Sequence, residues 1–220
     1  GGGTFSGDGY KGLTVEDLNA ERANSYDLGY ETFFDDLNLN MDVAYFYVEQ
    51  KNPLNSDTRN NWKMGNTYGV NYAKGVELGL KWKPQNKKVG INFDYTYTDS
   101  YDSNNCYNGC ALVSSMKDAK VRVPRNTFSS TISHETLPGF TNSFLIKYVD
   151  ETRDFGNSNN SFADVLLDDY ITFGLSSNYN ISKDFDLTFN AVNLFDEKYE
   201  QSYQYSQMGR SFHFGLKRVY

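Results

Sequence analysis

Residues 211–220 read SFHFGLKRVY. Counted in twos from the end, Tyr220, Arg218, Leu216, Phe214 and Phe212 fall on one side, with Val219, Lys217, Gly215 and His213 on the other. A period of two places successive side chains on opposite faces of a strand, so the stretch predicts a strand with one greasy and one mostly polar face. Chain ends are usually loose and hydrophilic. A chain that stops inside a strand needs a fold in which that strand is held.

The composition narrows the choice. Only 39% of the 220 residues are hydrophobic, yet aromatics reach 16%, with 18 Tyr and 16 Phe. A compact soluble core wants more Leu, Ile and Val than this. The mixture suits rings facing an apolar medium with polar neighbours facing water, as in a transmembrane barrel. A net charge of −7 argues against a nucleic-acid partner, since phosphate binding needs a basic surface. No apolar run is long enough for a membrane-spanning helix, which leaves a barrel open because alternation averages its hydropathy away. The first residues, GGGTFSGDGY, read as the middle of a loop, so the chain is expected to be a fragment.

The alternation recurs along the chain. Tyr26, Leu28, Tyr30, Thr32 and Phe34 share a face opposite Asp27, Gly29 and Glu31. Leu37, Leu39, Met41, Val43, Tyr45 and Tyr47 stand against Asn38, Asn40, Asp42 and Ala44. Val76, Leu78, Leu80 and Trp82 follow, then Val89, Ile91, Phe93, Tyr95 and Tyr97. Further segments lie near 126–136, 140–150, 169–180, 184–194 and 210–220, giving about nine strands of barrel length. Between them, the short turns FDDLN, KPQNKK, TLPGF and NISKD alternate with long polar stretches at 51–70, 99–122, 151–168 and 196–209. An up-and-down antiparallel barrel in an outer membrane has this rhythm of tight periplasmic turns and long external loops. Phe34, Trp82, Tyr179 and Tyr220 then belong to the inner aromatic girdle, and Tyr47 and Tyr97 to the outer one. The rival is a soluble β-sandwich whose rings meet in a core.

Cys106 and Cys110 flank an Asn-Gly turn signal in SNNCYNGCAL, which favours a small loop disulfide in an oxidising compartment. A metal site is the alternative, although no His or further Cys lies near. His134 and His213 fall in separate strands without catalytic or ligand spacing, so neither an enzyme nor a cofactor is expected. His213 is placed on the lumen side.

Longer motifs carry a resemblance. VNLFDEKYE followed by GRSFHFGLKRVY resembles the end of TonB-dependent outer-membrane receptors. EDLNAERANSYDLGYE, AKGVELGLKWKP and RVPRNTFS are similar to further strands of that family, and together the matches run from residue 16 to residue 220. Arg218 departs from the pattern, standing where the family is usually apolar; at a membrane rim its head can snorkel. The resemblance implies an all-β, antiparallel up-and-down transmembrane barrel of about 22 strands with a plugged lumen, of which residues 1–220 are the C-terminal portion. It implies bacterial outer-membrane import of a scarce metal chelate, powered by the TonB complex through a plug and TonB box that precede this region. A ferric siderophore is the first expectation, with haem or cobalamin as alternatives. A passive porin or adhesin barrel and a soluble carbohydrate-binding β-domain are the readings outside the family.

The same resemblance implies an aromatic C-terminal signal read by the barrel-assembly machinery, here Phe212, Phe214, Leu216 and Tyr220. This explains why the chain ends in a strand: a closed barrel has no free edge, so its last strand lies in the wall facing membrane lipid. A large chelate must be caught by external loops through rings and polar donors. The candidates are Arg59 and Trp62, Tyr107, Arg153 and Phe155, and Tyr203 and Tyr205.

Overall fold

The computed structural model describes residues 19–57, 63–66, 70–85, 88–101, 119–158 and 161–218. In chain order the strands among them are β1 (Arg22–Phe34), β2 (Leu39–Lys51), β3 (Leu54–Asp57), β4 (Lys63–Asn66) and β5 (Val70–Trp82). There follow β6 (Val89–Tyr101), β7 (Asn126–Leu137), β8 (Phe140–Val149), β9 (Thr152–Ser158) and β10 (Ser161–Leu167). The last are β11 (Tyr170–Ser182), β12 (Phe185–Val192), β13 (Glu200–Ser202), β14 (Tyr205–Ser206) and β15 (Ser211–Arg218).

Nine of these form one sheet in the order β1-β2-β5-β6-β7-β8-β11-β12-β15, every neighbour antiparallel. Each strand pairs with the one before it in the sheet, which is the up-and-down meander that the alternation predicts. Five of the nine are 13 residues long. At about 3.3 Å per residue that is ~43 Å, enough to cross a hydrocarbon layer of ~30 Å at the tilt of a barrel wall.

The register shows what the two faces are. One transverse row visits all nine strands, through Phe34, Leu39, Trp82, Ile91, Ile132, Phe144, Leu175, Ala191 and Phe212. Every member is apolar. A row on the opposite face runs through Glu31, Asp42, Gly79, Asp94, Ser129, Lys147 and Thr172. Because the side-chain period is two, a slip of one residue in any strand would exchange these rows. The apolar row is therefore what fixes the register.

Among the described residues no second layer covers either face. Among the described residues few apolar side chains are buried, Leu167, Tyr170 and Ala191 with Pro53, while Leu28, Phe214 and Leu216 are 75%, 79% and 66% exposed. A sandwich would bury its rings between two sheets; here most lie along one open face, with Phe33 and Phe46 on the other. The apolar face is thus fitted to lipid, and β1 and β15 are the two edges of an unclosed wall.

The short connections, which follow Phe34, Trp82, Leu137 and Ser182, leave the sheet at one rim, and the long connections leave at the other. At the short-turn rim Trp82 donates its indole N–H to the Leu37 carbonyl at 3.0 Å, and Phe140 meets Tyr179 edge-on at 5.7 Å. Arg218 holds its guanidinium 5.9 Å from the Phe185 ring, so the departure from the apolar pattern is accommodated at the rim. At the long-connection rim Tyr26, Tyr47, Tyr72 and Tyr101 form a ladder with centroid spacings of 6.3, 6.4 and 5.5 Å. These are the two aromatic belts; Tyr220 lies outside the described residues.

Two expectations need correcting. Leu37 is not on a strand face but in the turn, where its carbonyl is used. The stretches read as plain polar loops contain hairpins, β3 with β4, β9 with β10 and β13 with β14, whose residues lack the alternating signal. His213 pairs with Asn190 on the polar face, and His134 stands opposite Val89, on the face that carries Ile91 and Phe93.

Candidate ligand vestibule at the long-connection rim

Among the described residues the largest fully buried side chains are charged: Arg153 at 2% and Asp154 at 0% exposure. Both lie on β9, whose hairpin with β10 sets Arg153 opposite Leu166 and Asp154 opposite Val165. A buried carboxylate is tolerable only with donors on it, and Asp154 has several. The Phe155 N–H reaches Oδ1 at 2.8 Å and Arg122 Nε at 2.9 Å. The Tyr203 N–H reaches Oδ2 at 2.7 Å and the Ser202 hydroxyl at 3.2 Å. Burial pushes this carboxyl up, but the Tyr203 and Phe155 N–H groups and the Arg122 guanidinium outweigh it and hold the group below its ordinary range.

Around this centre the connections are tied by further bonds. The Arg122 N–H donates to the Arg153 carbonyl at 2.8 Å, and Arg153 NH1 donates to the Ala119 carbonyl at 2.7 Å. Tyr170 stacks on Tyr199 with centroids 4.1 Å apart, and Gln201 donates to the Tyr170 hydroxyl at 3.2 Å. Burial, and the Tyr170 ring beside it, raise the Tyr199 hydroxyl above its ordinary range. Gly156 is required here: a Cβ on it would lie 2.5 Å from Val165 Cγ1 and 3.0 Å from the Tyr203 ring.

A cavity of about 310 Å³ opens beside this cluster, between the end of β10 with the residues after it (Leu166, Leu167, Asp168, Asp169) and the last connection (Lys198, Tyr199, Glu200, Tyr203). Rings and aliphatic walls supply contact area there, while carboxylates, an ammonium and phenols supply polar partners.

The last connection is shaped by the NLFD and GR residues. Asn193 adopts φ 51° and donates its amide to the carbonyls of Glu197 (2.9 Å) and Met208 (3.3 Å), while its Oδ1 takes the Glu197 N–H at 2.8 Å. Asp196, at φ 60°, accepts the Arg210 N–H at 2.9 Å and pairs with Lys198 at 2.9 Å. A Cβ on Gly209 would lie 2.5 Å from the Asp196 carboxylate. The motif thus fastens the start of the connection to its end.

Of the sequence-derived contact residues, Arg153, Phe155 and Tyr203 come together around Asp154. Arg153 is engaged inside the cluster, with its guanidinium 5.5 Å from the Phe155 ring. Phe155 is 37% exposed and Tyr205 71% exposed. Arg59, Trp62, Tyr107, Cys106 and Cys110 lie outside the described residues. Asp154, Arg122 and the Tyr170/Tyr199 pair escaped the sequence reading. Asp154 sits between two residues it did single out, yet nothing local separates it from Asp168 or Asp169. Among the described residues no group of three or more His, Cys, Asp or Glu side chains is placed to hold a metal ion.

Comparison with known proteins bears on the whole wall. A family model described as "TonB dependent receptor-like, beta-barrel" matches residues 1–194. Over 190 residues the chain is 26% identical to the probable TonB-dependent siderophore receptor PiuA of Acinetobacter baumannii, covering 83% of this chain and 24% of that protein. The solved structure of that siderophore receptor superposes with TM-score 0.70 at 24% identity, covering 90% of this chain and 28% of that one. The ferric-catecholate import receptor Fiu of E. coli superposes with TM-score 0.72 at 17% identity, over 92% and 28% of the two chains. The ferripyoverdine receptor of Pseudomonas aeruginosa, bound to ferripyoverdine, gives 0.71 at 18% identity, over 91% and 27%. These superpositions establish the fold. The chain spans about a quarter of the length of the curated relative it matches.

Proposed function

The chain belongs to the TonB-dependent receptor β-barrel family, and from that premise we propose that it is part of a receptor importing a ferric siderophore. Its place is the outer membrane, where such receptors reside, and its nine-stranded sheet is a stretch of the barrel wall. The reading is supported most by one arrangement: a lipid-fitted apolar face below, and a cavity with aromatic and charged walls among the long connections above. Relatives of the same fold are named as siderophore, ferric-catecholate and ferripyoverdine receptors.

In this reading the chelate first meets the external connections. Phe155, Tyr203 and Tyr205 offer rings to it, and Arg59, Trp62 and Tyr107 are the contacts expected from the other connections. Arg153 supports that surface from beneath. Passage through the lumen depends on a plug and a TonB box carried by the rest of the receptor, with the TonB complex supplying the energy. Phe212, Phe214, Leu216 and Tyr220 form the signal that the barrel-assembly machinery reads. No catalytic step is required: the work is binding and release.

The test is uptake. Cells lacking the intact receptor are supplied with iron-55 as one ferric chelate at a time, covering catecholate, hydroxamate and mixed siderophores, and separately with haem. Loss of uptake from one siderophore supports the reading and names the substrate. Loss confined to haem, or no loss from any source, overturns it.

A further inference from the structure

Asp154 is where three long connections meet. Its donors come from Arg122 in the connection before β7, from Phe155 on its own hairpin, and from Ser202 at the end of β13 and Tyr203 in the turn that follows. The cavity lies between two of those connections, and Asp154 reaches the supports of both its walls. A fully buried anion with four donors is held by charge-assisted bonds, and removing it strands every donor at once. A carboxylate that served only its own hairpin would have no need of partners 32, 48 and 49 residues away.

We infer that Asp154 is a positioning residue for ligand capture: its carboxylate couples segments 119–125, 152–158 and 200–206 into one clamp that fixes the width of the cavity beside Tyr203. The coupling stands on the geometry alone. Its consequence for uptake rests on the receptor reading above. Arg122 is the exposed end of the clamp, with its side chain 56% accessible against 0% for Asp154, so the cation is anchored by the buried anion and not the reverse.

Hydrogen exchange on the intact receptor, with and without Asp154→Ala, tests the coupling without any ligand. All three segments should exchange at least about tenfold faster in the variant, since hydrogen bonds to a charged group are lost in each. The wall strand β6 should not change. Loosening confined to 152–158, or none, overturns the inference. Should Asp154→Ala fail to assemble, the pair Arg122→Gln and Ser202→Ala removes donors from two connections and must loosen both.

Uptake of iron-55 from the ferric chelate that the wild type accepts gives the second readout. The half-saturating concentration should rise about tenfold with the maximal rate within about twofold, and Asp154→Asn, which keeps an acceptor without the charge, should fall between. A fall in maximal rate at unchanged half-saturation refutes the positioning role. If the wild type accepts no ferric chelate, the receptor reading fails while the exchange pattern still decides the coupling.

Discussion

The carboxylate of Asp154 accepts the backbone N–H of Tyr203 at 2.7 Å across 49 residues of chain. That one contact joins the hairpin that follows β8 to the connection that precedes β15. It also explains why, among the described residues, the charged side chains of Arg153 and Asp154 are enclosed while the apolar side chains of the wall face outward. The wall is ordered by its medium and its register, whereas the connections need internal polar anchors because no lipid or core holds them.

The depressed Asp154 carboxyl gives the clamp a definite response to acid. A group whose folded value lies below its unfolded one contributes fully above the unfolded value, about 3.9 for an aspartate, and loses that contribution as pH falls through the folded value. Protection of the Tyr203 amide, corrected for intrinsic exchange, is expected to be the same at pH 7 and pH 5 and to fall only in stronger acid. A decline between pH 7 and pH 5 contradicts this assignment.

Face assignment can be tested on adjacent residues of β5. Leu78 lies between Val43 and Tyr95 on the apolar face, and Glu77 between Ala44 and Thr96 on the polar one. Leu78→Arg in the intact receptor should cost ~2–4 kcal/mol in lipid vesicles, as for an arginine near the bilayer midplane. Glu77→Arg should cost much less. Equal costs in urea titrations would remove the basis for placing lipid on the Leu78 side.

Gly75 is set by close approach. A Cβ there would lie 1.9 Å from the Tyr97 carbonyl oxygen and 2.6 Å from the Phe46 ring, whereas at Gly29 the nearest atom is 3.7 Å away. Gly75→Ala should destabilise the barrel by ~1–3 kcal/mol through overpacking, and Gly29→Ala should be nearly silent. The heat-modifiable mobility of the two variants on gels, read against temperature, separates the cases.

Cys106 and Cys110 are expected to be joined in the external connection before β7. Mass mapping of the intact receptor without reductant should recover the linked peptide. Two alkylatable thiols in protein taken directly from the outer membrane would end the proposal.

On the proposal that Phe212, Phe214, Leu216 and Tyr220 form an assembly signal, Tyr220→Ala should lower the amount of assembled receptor several-fold in cells while leaving synthesis unchanged. Immunoblots of outer-membrane fractions measure this, and unchanged levels exclude an assembly role.

How much was readable in the residues follows from the range of the signals. The nine wall strands, their facing and the two rims were determined by the sequence alone. A period of two and the contrast between NISKD and a stretch such as 151–168 are local, and a medium with one apolar and one polar side leaves a single way to satisfy them. The terminal SFHFGLKRVY carried the strand, and its neighbour through Phe189 and Phe214 only confirmed it. The tertiary structure decided what the connections do. Asp154 matters because Arg122, Ser202 and Tyr203 arrive beside it from far along the chain, and no pattern around residue 154 marks it out from Asp168. Leu37 turned from strand face to turn carbonyl for the same reason, since Trp82 reaches it across 45 residues. Alternation is written in neighbouring residues, but a buried anion is made by distant ones, and that meeting exists only once the wall has brought the connections to one rim.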